Sequence, residues 1–194
     1  MSKRIVITGL GVAAPNGVGI PAFTHALKNG ISGIQHDPQL QELQFSCQIA
    51  GTPPLTEELK AMYFTELELR GFGSTGILYG VIAGIEAWKN SGLPIETNEE
   101  PDWDSGTIFG AGTSGIDKFR ESIYKIDELQ VRKLGSTVVA QTMNSGISAY
   151  LGGKLGLGNQ VTTNSSACAT GTEALLMAYD RIKAGHAKRM LVGS

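Results

Sequence analysis

Residues 164–172, Asn-Ser-Ser-Ala-Cys-Ala-Thr-Gly-Thr, form the stretch from which the rest of this chain is best understood. An extended segment, Gln160–Ser165, leads into them, and a segment of helical character follows from Cys168 to Ala184. This helix begins with small residues, is apolar in its middle and carries charge only in its last turns, before Gly185 stops it. A helix this apolar belongs inside a domain.

Cys168 is predicted to be the first residue of this helix. There, the unpaired N–H groups and the positive end of the helix dipole favour a thiolate. Small neighbours, among them Ala167 and Gly171, would let a substrate reach the thiol and let the Cys168 N–H face an oxyanion. A buried cysteine that serves as a small hydrophobe is the alternative. Phe45–Ile49 alternates like a half-buried strand, and Cys47 within it is expected to be such a core residue.

Outward from this stretch, the chain alternates between predicted strands and helices. Strands are expected at Lys3–Thr8, Gly106–Gly110 and Arg189–Gly193, a short helix at residues 21–29, and a charged amphipathic segment at Ile116–Leu134. A polar, acidic connector is expected at residues 93–105. A further helix follows from an apolar stripe at Ile77, Leu78, Val81, Ile82, Ile85 and Trp88. Its second stripe, Gly76, Gly80 and Gly84, suggests that another backbone approaches closely.

Composition narrows the classes of protein to which the chain can belong. The 194 residues suit one domain or two, and 16 basic against 18 acidic residues give a formal charge of −2, which disfavours nucleic acid as a partner. The uncharged stretches 71–85 and 134–153 are broken by polar residues, so no membrane span is expected. The amino terminus lacks the features of a secretory signal, which favours a cytoplasmic protein.

Neither a metal nor a cofactor is expected. The two cysteines lie 121 residues apart in different contexts, which argues against a disulfide framework or a zinc site. The three histidines, His25, His36 and His186, have no metal-ligand spacing and are expected at the surface.

Two glycine motifs leave an alternative open. Residues 9–14 match G-x-G-x-x-A after a predicted strand, with Asp37 at the distance of a ribose-binding acid, so a dinucleotide-binding oxidoreductase is one reading. Against it, Pro15-Asn-Gly17 interrupts the helix that should begin within the motif. Residues 110–115 match G-x-G-x-x-G, and a simple strand-to-helix turn is the favoured interpretation there.

Residues 165–172, S-S-A-C-A-T-G-T, resemble the nucleophile motif of the β-ketoacyl-acyl carrier protein synthases, the condensing enzymes of fatty acid and polyketide synthesis. The likeness covers nearly the whole chain, in the family's order and spacing. It includes VITGLGVAAPNG at 6–17, LYGVIAGIEAWKNSGL at 78–93, GTIFGAGTSG at 106–115, MNSGISAYLGGKLGLGN at 143–159 and AYDRIKAGHAKRMLVGS at 178–194.

The resemblance implies an α/β, thiolase-like fold, of which residues 1–194 would be the amino-terminal half of a layered α/β/α/β/α architecture. Cys168 would accept an acyl chain from a carrier thioester, and the carbanion of a decarboxylating malonyl thioester would then attack the acyl group. The family places two catalytic histidines and a lysine in the second half. This chain alone is therefore expected to condense nothing and to expose apolar surface.

The resemblance also implies partners: an acyl carrier protein, and a second subunit in a homodimer or ketosynthase heterodimer. Gln160–Ser165 would pair with its symmetry mate, and Val138–Asn144 would approach the partner's pocket. Two departures stand out. Residues 66–70, ELELR, stand where elongating fatty acid enzymes carry a cluster of Lys and Arg for carrier docking, and Thr113 stands where a bulky aliphatic commonly lines the acyl pocket. Thr113 and Ala167 are the residues expected to bind the substrate. A non-catalytic remnant or interaction subunit stays an alternative.

Overall fold

The structure of the chain, a computed structural model, describes residues 4–95 and 100–194. Lys3 of the predicted amino-terminal strand and residues 96–99 of the predicted connector lie outside them. The strands are β1 Ala13–Ala14, β2 Gly17–Val18, β3 Ile34–His36, β4 Ile49–Gly51, β5 Ser105–Phe109, β6 Val161–Thr162 and β7 Arg189–Gly193. The helices are α1 Ile20–Lys28, α2 Pro38–Glu42, α3 Glu57–Tyr63, α4 Glu66–Gly71, α5 Thr75–Asn90, α6 Ile116–Asp127, α7 Val138–Thr142, α8 Gly146–Lys154 and α9 Thr170–Lys183.

A parallel sheet of three strands lies at the centre, in the order β6-β5-β7. Strand β5 is the middle strand and is buried along its whole length. It pairs with β7 from Ser105↔Arg189 to Phe109↔Gly193 and with β6 through Thr107↔Val161. The pairs β1-β2 and β3-β4 are small antiparallel hairpins outside this sheet.

Helices cover both faces of the sheet. Side chains alternate between the faces of a strand, so Phe109 and Leu191 pack with α5 and α8, whereas Ile108 packs with Ala174 and Ala178 of α9. The larger cluster contains every member of the predicted apolar stripe of α5, each at most 4% exposed. This arrangement brings the start of α9 to the same end of the sheet as the end of β5.

The glycine stripe of α5 does mark a close approach, but the neighbours are side chains rather than another backbone. A Cβ added at Gly80 would lie 2.7 Å from the Ile147 side chain, and one at Gly84 would lie 2.7 Å from the Leu151 side chain, both on α8. The close main-chain approach occurs elsewhere on α5, where Gly9 and Gly11 leave no room for a side chain.

The predicted strand at Lys3–Thr8 is wrong for the residues that the structure describes. Residues 4–12 form no strand, and Val6 and Ile7 are 56% and 75% exposed. Their β-branched composition suits a strand, but a strand needs a ladder partner, and no described strand pairs with them. Side chains of α5 hold the segment instead: Asn90 accepts from Leu10 N at 3.0 Å, and Glu86 accepts from Val12 N at 2.9 Å.

The prediction of a half-buried strand at Phe45–Ile49 is also wrong. The strand begins only at Ile49, because its partner β3 is three residues long, and Phe45 is 54% exposed. Cys47 is exposed rather than part of the core. The segment alternates as a strand would, but it lies in a surface hairpin whose outer face has no cover.

Helix α6 ends at Asp127, earlier than the predicted amphipathic segment, since Leu129 takes a left-handed conformation (φ 58°) before a 3-10 turn at Val131–Lys133. Across residues 4–95 and 100–194, no helix combines the length and apolar character that crossing a membrane requires.

Candidate active site

Cys168 lies in a 3-10 turn, Ala167–Ala169, that joins the segment after β6 to α9. It was predicted to be the first residue of the helix, whereas α9 begins two residues later, at Thr170, with Ala169 as its N-cap. The prediction missed the turn because Ala167 adopts a left-handed conformation, with φ 49°. Alanine rarely does so, and nothing in the sequence around Ala167 indicates it. The thiol is exposed, so the alternative of a buried structural cysteine is wrong.

The side chain of Thr170 fixes the conformation of this turn. Its hydroxyl donates to the Ala167 carbonyl at 2.7 Å and accepts from Ser166 N at 2.9 Å. A left-handed alanine costs about 1–2 kcal/mol, and these two bonds offset that cost. Thr170 is 4% exposed, so water competes little for the bonds.

Glu173 makes a second set of contacts to the turn from the first part of α9. One carboxylate oxygen, Oε2, accepts from the Ser166 hydroxyl and, at 2.7 Å, from the Asn164 side-chain amide. The same amide donates to the Thr170 carbonyl at 2.9 Å. The hydrogen bonds from Ser166 and Asn164 hold the pKa of Glu173 below its usual range. Residues on both sides of Cys168 are thereby tied to the helix.

Beside this turn lies a cleft of about 420 Å³. Its walls come from residues 11–13, the glycine face of α5, the loop after β5 and Ser194. Thr113, the predicted substrate-binding residue of that loop, lines the cleft and is exposed. The Asn144 side-chain amide supports this loop, since it donates to the carbonyls of Ala111 at 3.1 Å and Gly112 at 3.2 Å.

The three predicted site residues fall into two neighbouring groups. Thr113 lines the cleft, whereas Ala167 and Cys168 lie on the adjoining turn and do not line it. One hydrogen bond joins the two groups, from Ala111 N to the Asn164 carbonyl at 3.1 Å. Gly110 also lies against the turn, since a Cβ there would meet the Thr170 and Asn164 side chains.

Sequence reasoning missed Asn164 and Glu173. Both carry a signal in hindsight: an amide at the end of an extended segment, and a carboxylate in the first turn of the following helix, where it suits the dipole. Nothing in the residue pattern, however, shows that the two side chains meet. That contact depends on how the turn folds back on α9.

The glycines of the first motif serve packing. An added side chain at Gly9 or Gly11 would collide with the main chain of α5, and no helix begins between the motif and Ile20, which follows the β1-β2 hairpin. The dinucleotide-binding reading is therefore wrong. In the second motif, Gly115 takes φ 66° at the N-cap of α6, as the predicted strand-to-helix turn requires.

Within residues 4–95 and 100–194, no three His, Cys, Asp or Glu side chains come together in a way that could hold a metal ion. His25 lies on α1, His36 on β3 and His186 just after α9, and none of the three lines the cleft.

Comparison with known proteins agrees with this architecture. The 3-oxoacyl-[acyl-carrier-protein] synthase 2 of Vibrio cholerae is 31% identical over 195 residues, which cover 100% of this chain and 46% of that protein. The solved ishigamide ketosynthase/chain length factor superimposes with a TM-score of 0.79 at 20% identity, over 96% of this chain and 46% of that one. A type II polyketide synthase ketosynthase, solved in complex with its acyl carrier protein, gives 0.78 at 22% identity over 100% and 46%.

These likenesses confirm the predicted thiolase-like α/β fold, and the chain spans about half the length of the relatives that it matches. The profile of the family described as "Beta-ketoacyl synthase, N-terminal domain" matches residues 2–194. By that match over almost its full length, the chain belongs to the β-ketoacyl synthase family.

Proposed function

We propose that this chain is the acyl-accepting part of a β-ketoacyl synthase, with Cys168 as its nucleophile. The observation that carries the proposal is an exposed thiol on a constrained turn that leads directly into α9, beside a cleft. The position resembles that of other activated cysteines, which lie at the start of a helix where N–H groups point towards developing negative charge.

The proposed step is a transfer between two thioesters. The Cys168 thiolate attacks the carbonyl carbon of an acyl thioester. A new C–S bond forms, and the product of this attack is a tetrahedral intermediate that carries an oxyanion. When the oxyanion collapses, the C–S bond to the carrier breaks, and the departing thiolate takes the proton that Cys168 gave up to solvent. The main-chain N–H of Cys168 is the group we assign to the oxyanion, as a fixed dipole that needs no reorganisation.

In the complete enzyme, the acyl-Cys168 ester would then be attacked by the carbanion of a decarboxylating malonyl thioester. Carbon dioxide leaves, a carbon–carbon bond forms, and Cys168 is released as a thiolate.

An acyl carrier protein is the proposed donor, as in the polyketide relative solved with its carrier. A homodimer, or a heterodimer like the ketosynthase/chain length factor relative, is the proposed assembly. Strand β6 lies at an edge of the described sheet, so we propose that its outer side pairs with the second subunit. The cytoplasmic location stays a prediction from the sequence.

The first experiment measures acylation. The purified chain is incubated with an acyl-carrier thioester, and its intact mass is followed. We expect one acyl adduct per chain, lost in Cys168→Ala and retained in Cys47→Ser. The second substitution is a matched control, because Cys47 is the other free cysteine and is also exposed. An adduct that persists in Cys168→Ala would overturn the assignment, and no adduct on the native chain would favour the non-catalytic subunit.

Thr113 is the proposed contact for the acyl chain, because it lines the cleft and its side chain carries a hydroxyl. A pocket with this polarity should favour unsaturated or aryl-capped chains over ordinary saturated ones. In a competition between such acyl-carrier thioesters, we expect Thr113→Val, which removes the hydroxyl at similar size, to shift labelling towards the saturated chain by about threefold to tenfold. A saturated preference in the native chain would contradict the idea.

A further inference from the structure

Asn164 occupies a position between the two parts of the candidate site. Its carbonyl accepts from Ala111 N in the loop that carries Thr113, and its side-chain amide donates to Glu173 and to the Thr170 carbonyl. One residue is thus bonded to the cleft loop through its main chain and to α9 through its side chain. Movement of this residue would disturb both groups.

Glu173 is the shared acceptor of this arrangement. Its Oε2 receives the Asn164 amide and the Ser166 hydroxyl, which lie on the chain before Cys168, while Glu173 itself belongs to the helix after Cys168. The carboxylate therefore closes a loop of main chain around the nucleophile. The unusual φ of Ala167 lies inside that loop, so the closed contact also opposes its relaxation.

We propose that Glu173 is a positioning residue, which holds Asn164 and Ser166 and so keeps Cys168 and the Thr113 loop in a fixed relation. The role rests on the assignment of Cys168 as nucleophile. Glu173 acts through its neighbours and takes no part in the bond changes. Glu173 thereby limits the movement of the Cys168 thiol at the start of α9.

A purely structural role makes a different prediction. As an acid in the first turn of α9, Glu173 also interacts favourably with the helix dipole. If that were its only role, its loss would weaken folding without a selective effect on the reactivity of Cys168. Electrostatics predict the opposite sign from positioning, since removal of a nearby negative charge favours a thiolate. A lower reactivity of Cys168 relative to Cys47 in Glu173→Ala, but not in Glu173→Gln, therefore indicates lost positioning.

The test compares the two cysteines within the same molecule. The full 194-residue chain is treated with limiting iodoacetamide at pH 7, and the alkylation rates of Cys168 and Cys47 are read from their separate peptides by mass spectrometry. In Glu173→Ala we expect the Cys168 rate to fall about tenfold relative to Cys47, the cost of one hydrogen-bonded anchor to a charged group. Glu173→Gln keeps a carbonyl oxygen at the same place and should stay at or above the native ratio.

Two more variants keep the test decisive. Asp180→Ala removes an exposed acid from the same helix, away from the turn, and should leave the ratio within about twofold of the native value. Ser166→Ala deletes one of the two donors and should lower the ratio by a smaller factor, which serves if Glu173→Ala does not fold. Equal ratios in Glu173→Ala and Glu173→Gln, or an unchanged ratio in both Glu173→Ala and Ser166→Ala, would refute the role.

The alkylation ratio and the acylation assay fail independently. A chain that accepts an acyl group but shows no effect of Glu173 would keep the proposed function and lose this inference. A chain whose Cys168 reactivity depends on Glu173, but which accepts no acyl group, would show a positioned thiol without ketosynthase chemistry.

Discussion

At the scale of single residues, several glycines are required by their neighbours and others are not. Gly84 of α5 faces the Leu151 side chain, and a Cβ there would come within 2.7 Å of it. Gly153 of α8 also lies inside a helix, but nothing approaches within 4 Å of an added Cβ, and the residue is exposed. The pair separates packing from helix propensity, because both substitutions gain propensity but only the Cβ at Gly84 meets a neighbour.

Gly84→Ala should lower the free energy of unfolding by about 2 kcal/mol, since overpacking against α8 outweighs the gain in helix propensity. Gly153→Ala should raise it by about 0.5–1 kcal/mol, because only the propensity gain remains. Urea unfolding followed by circular dichroism measures both. Destabilisation of equal size in the two variants would contradict the packing between α5 and α8.

At the scale of elements, Glu68 joins α4 to α8. One carboxylate oxygen completes a capping box with Thr65, accepting from its N–H at 2.7 Å, and the other accepts from Lys154 Nζ at 2.7 Å. Burial opposes ionisation of Glu68, but the hydrogen bonds from Lys154 and Thr65 outweigh it and lower its pKa to about 2. The ionised form is therefore favoured by folding.

The sign of the pH dependence follows from that lowered pKa. The stabilisation is fully present above the ordinary carboxyl value of 4.5 and is lost as the pH falls through about 2. Glu68→Gln should cost about 1–2 kcal/mol in the free energy of unfolding at pH 7, and the difference from the native chain should vanish near pH 2.

The control is Glu66→Gln on the same helix. Its side chain is 92% exposed and its contact to Arg70 is 3.6 Å long, so we expect a change below about 0.5 kcal/mol at either pH. A Glu68→Gln deficit that is unchanged at pH 2 would show that the ionised carboxylate is not its cause.

At the scale of the whole molecule, the described residues form a three-layer unit in which thiol and cleft share one end of the sheet. Acyl transfer needs a nucleophile and an oxyanion donor, and the proposed groups for both, the Cys168 thiol and main-chain N–H, lie in the turn. Decarboxylation of malonate needs groups that hold the carboxylate and stabilise a carbanion. The three histidines of the chain lie on α1, on β3 and after α9, away from the cleft.

We therefore expect the 194-residue chain to form acyl-Cys168 and stop. General acid–base groups contribute about 10²–10⁴ each to such reactions, so condensation without them should fall below detection. The measurement is release of labelled carbon dioxide from malonyl thioester, on samples in which the acyl adduct is first confirmed by mass. Robust ketoacyl product would show that these residues suffice for the whole reaction.

The amino-acid sequence by itself determined the apolar stripe of α5, the central strand β5, the strand β7 and the resemblance of residues 165–172 to the family's nucleophile motif. These features depend on local periodicity or on neighbours along the chain, which a single sequence displays. The strand expected at Lys3–Thr8 and the core position expected for Cys47 were wrong, because pairing and burial need partners that local pattern does not reveal.

Only the tertiary structure decided the packing of Gly9 and Gly11 on α5, the left-handed Ala167, and the meeting of Asn164 with Glu173 around Cys168. Each depends on atoms that folding brings together, such as the end of β5 beside the start of α9. A hydrogen bond is strong enough to fix a turn only when distance and angle are both satisfied, and those are properties of the folded chain.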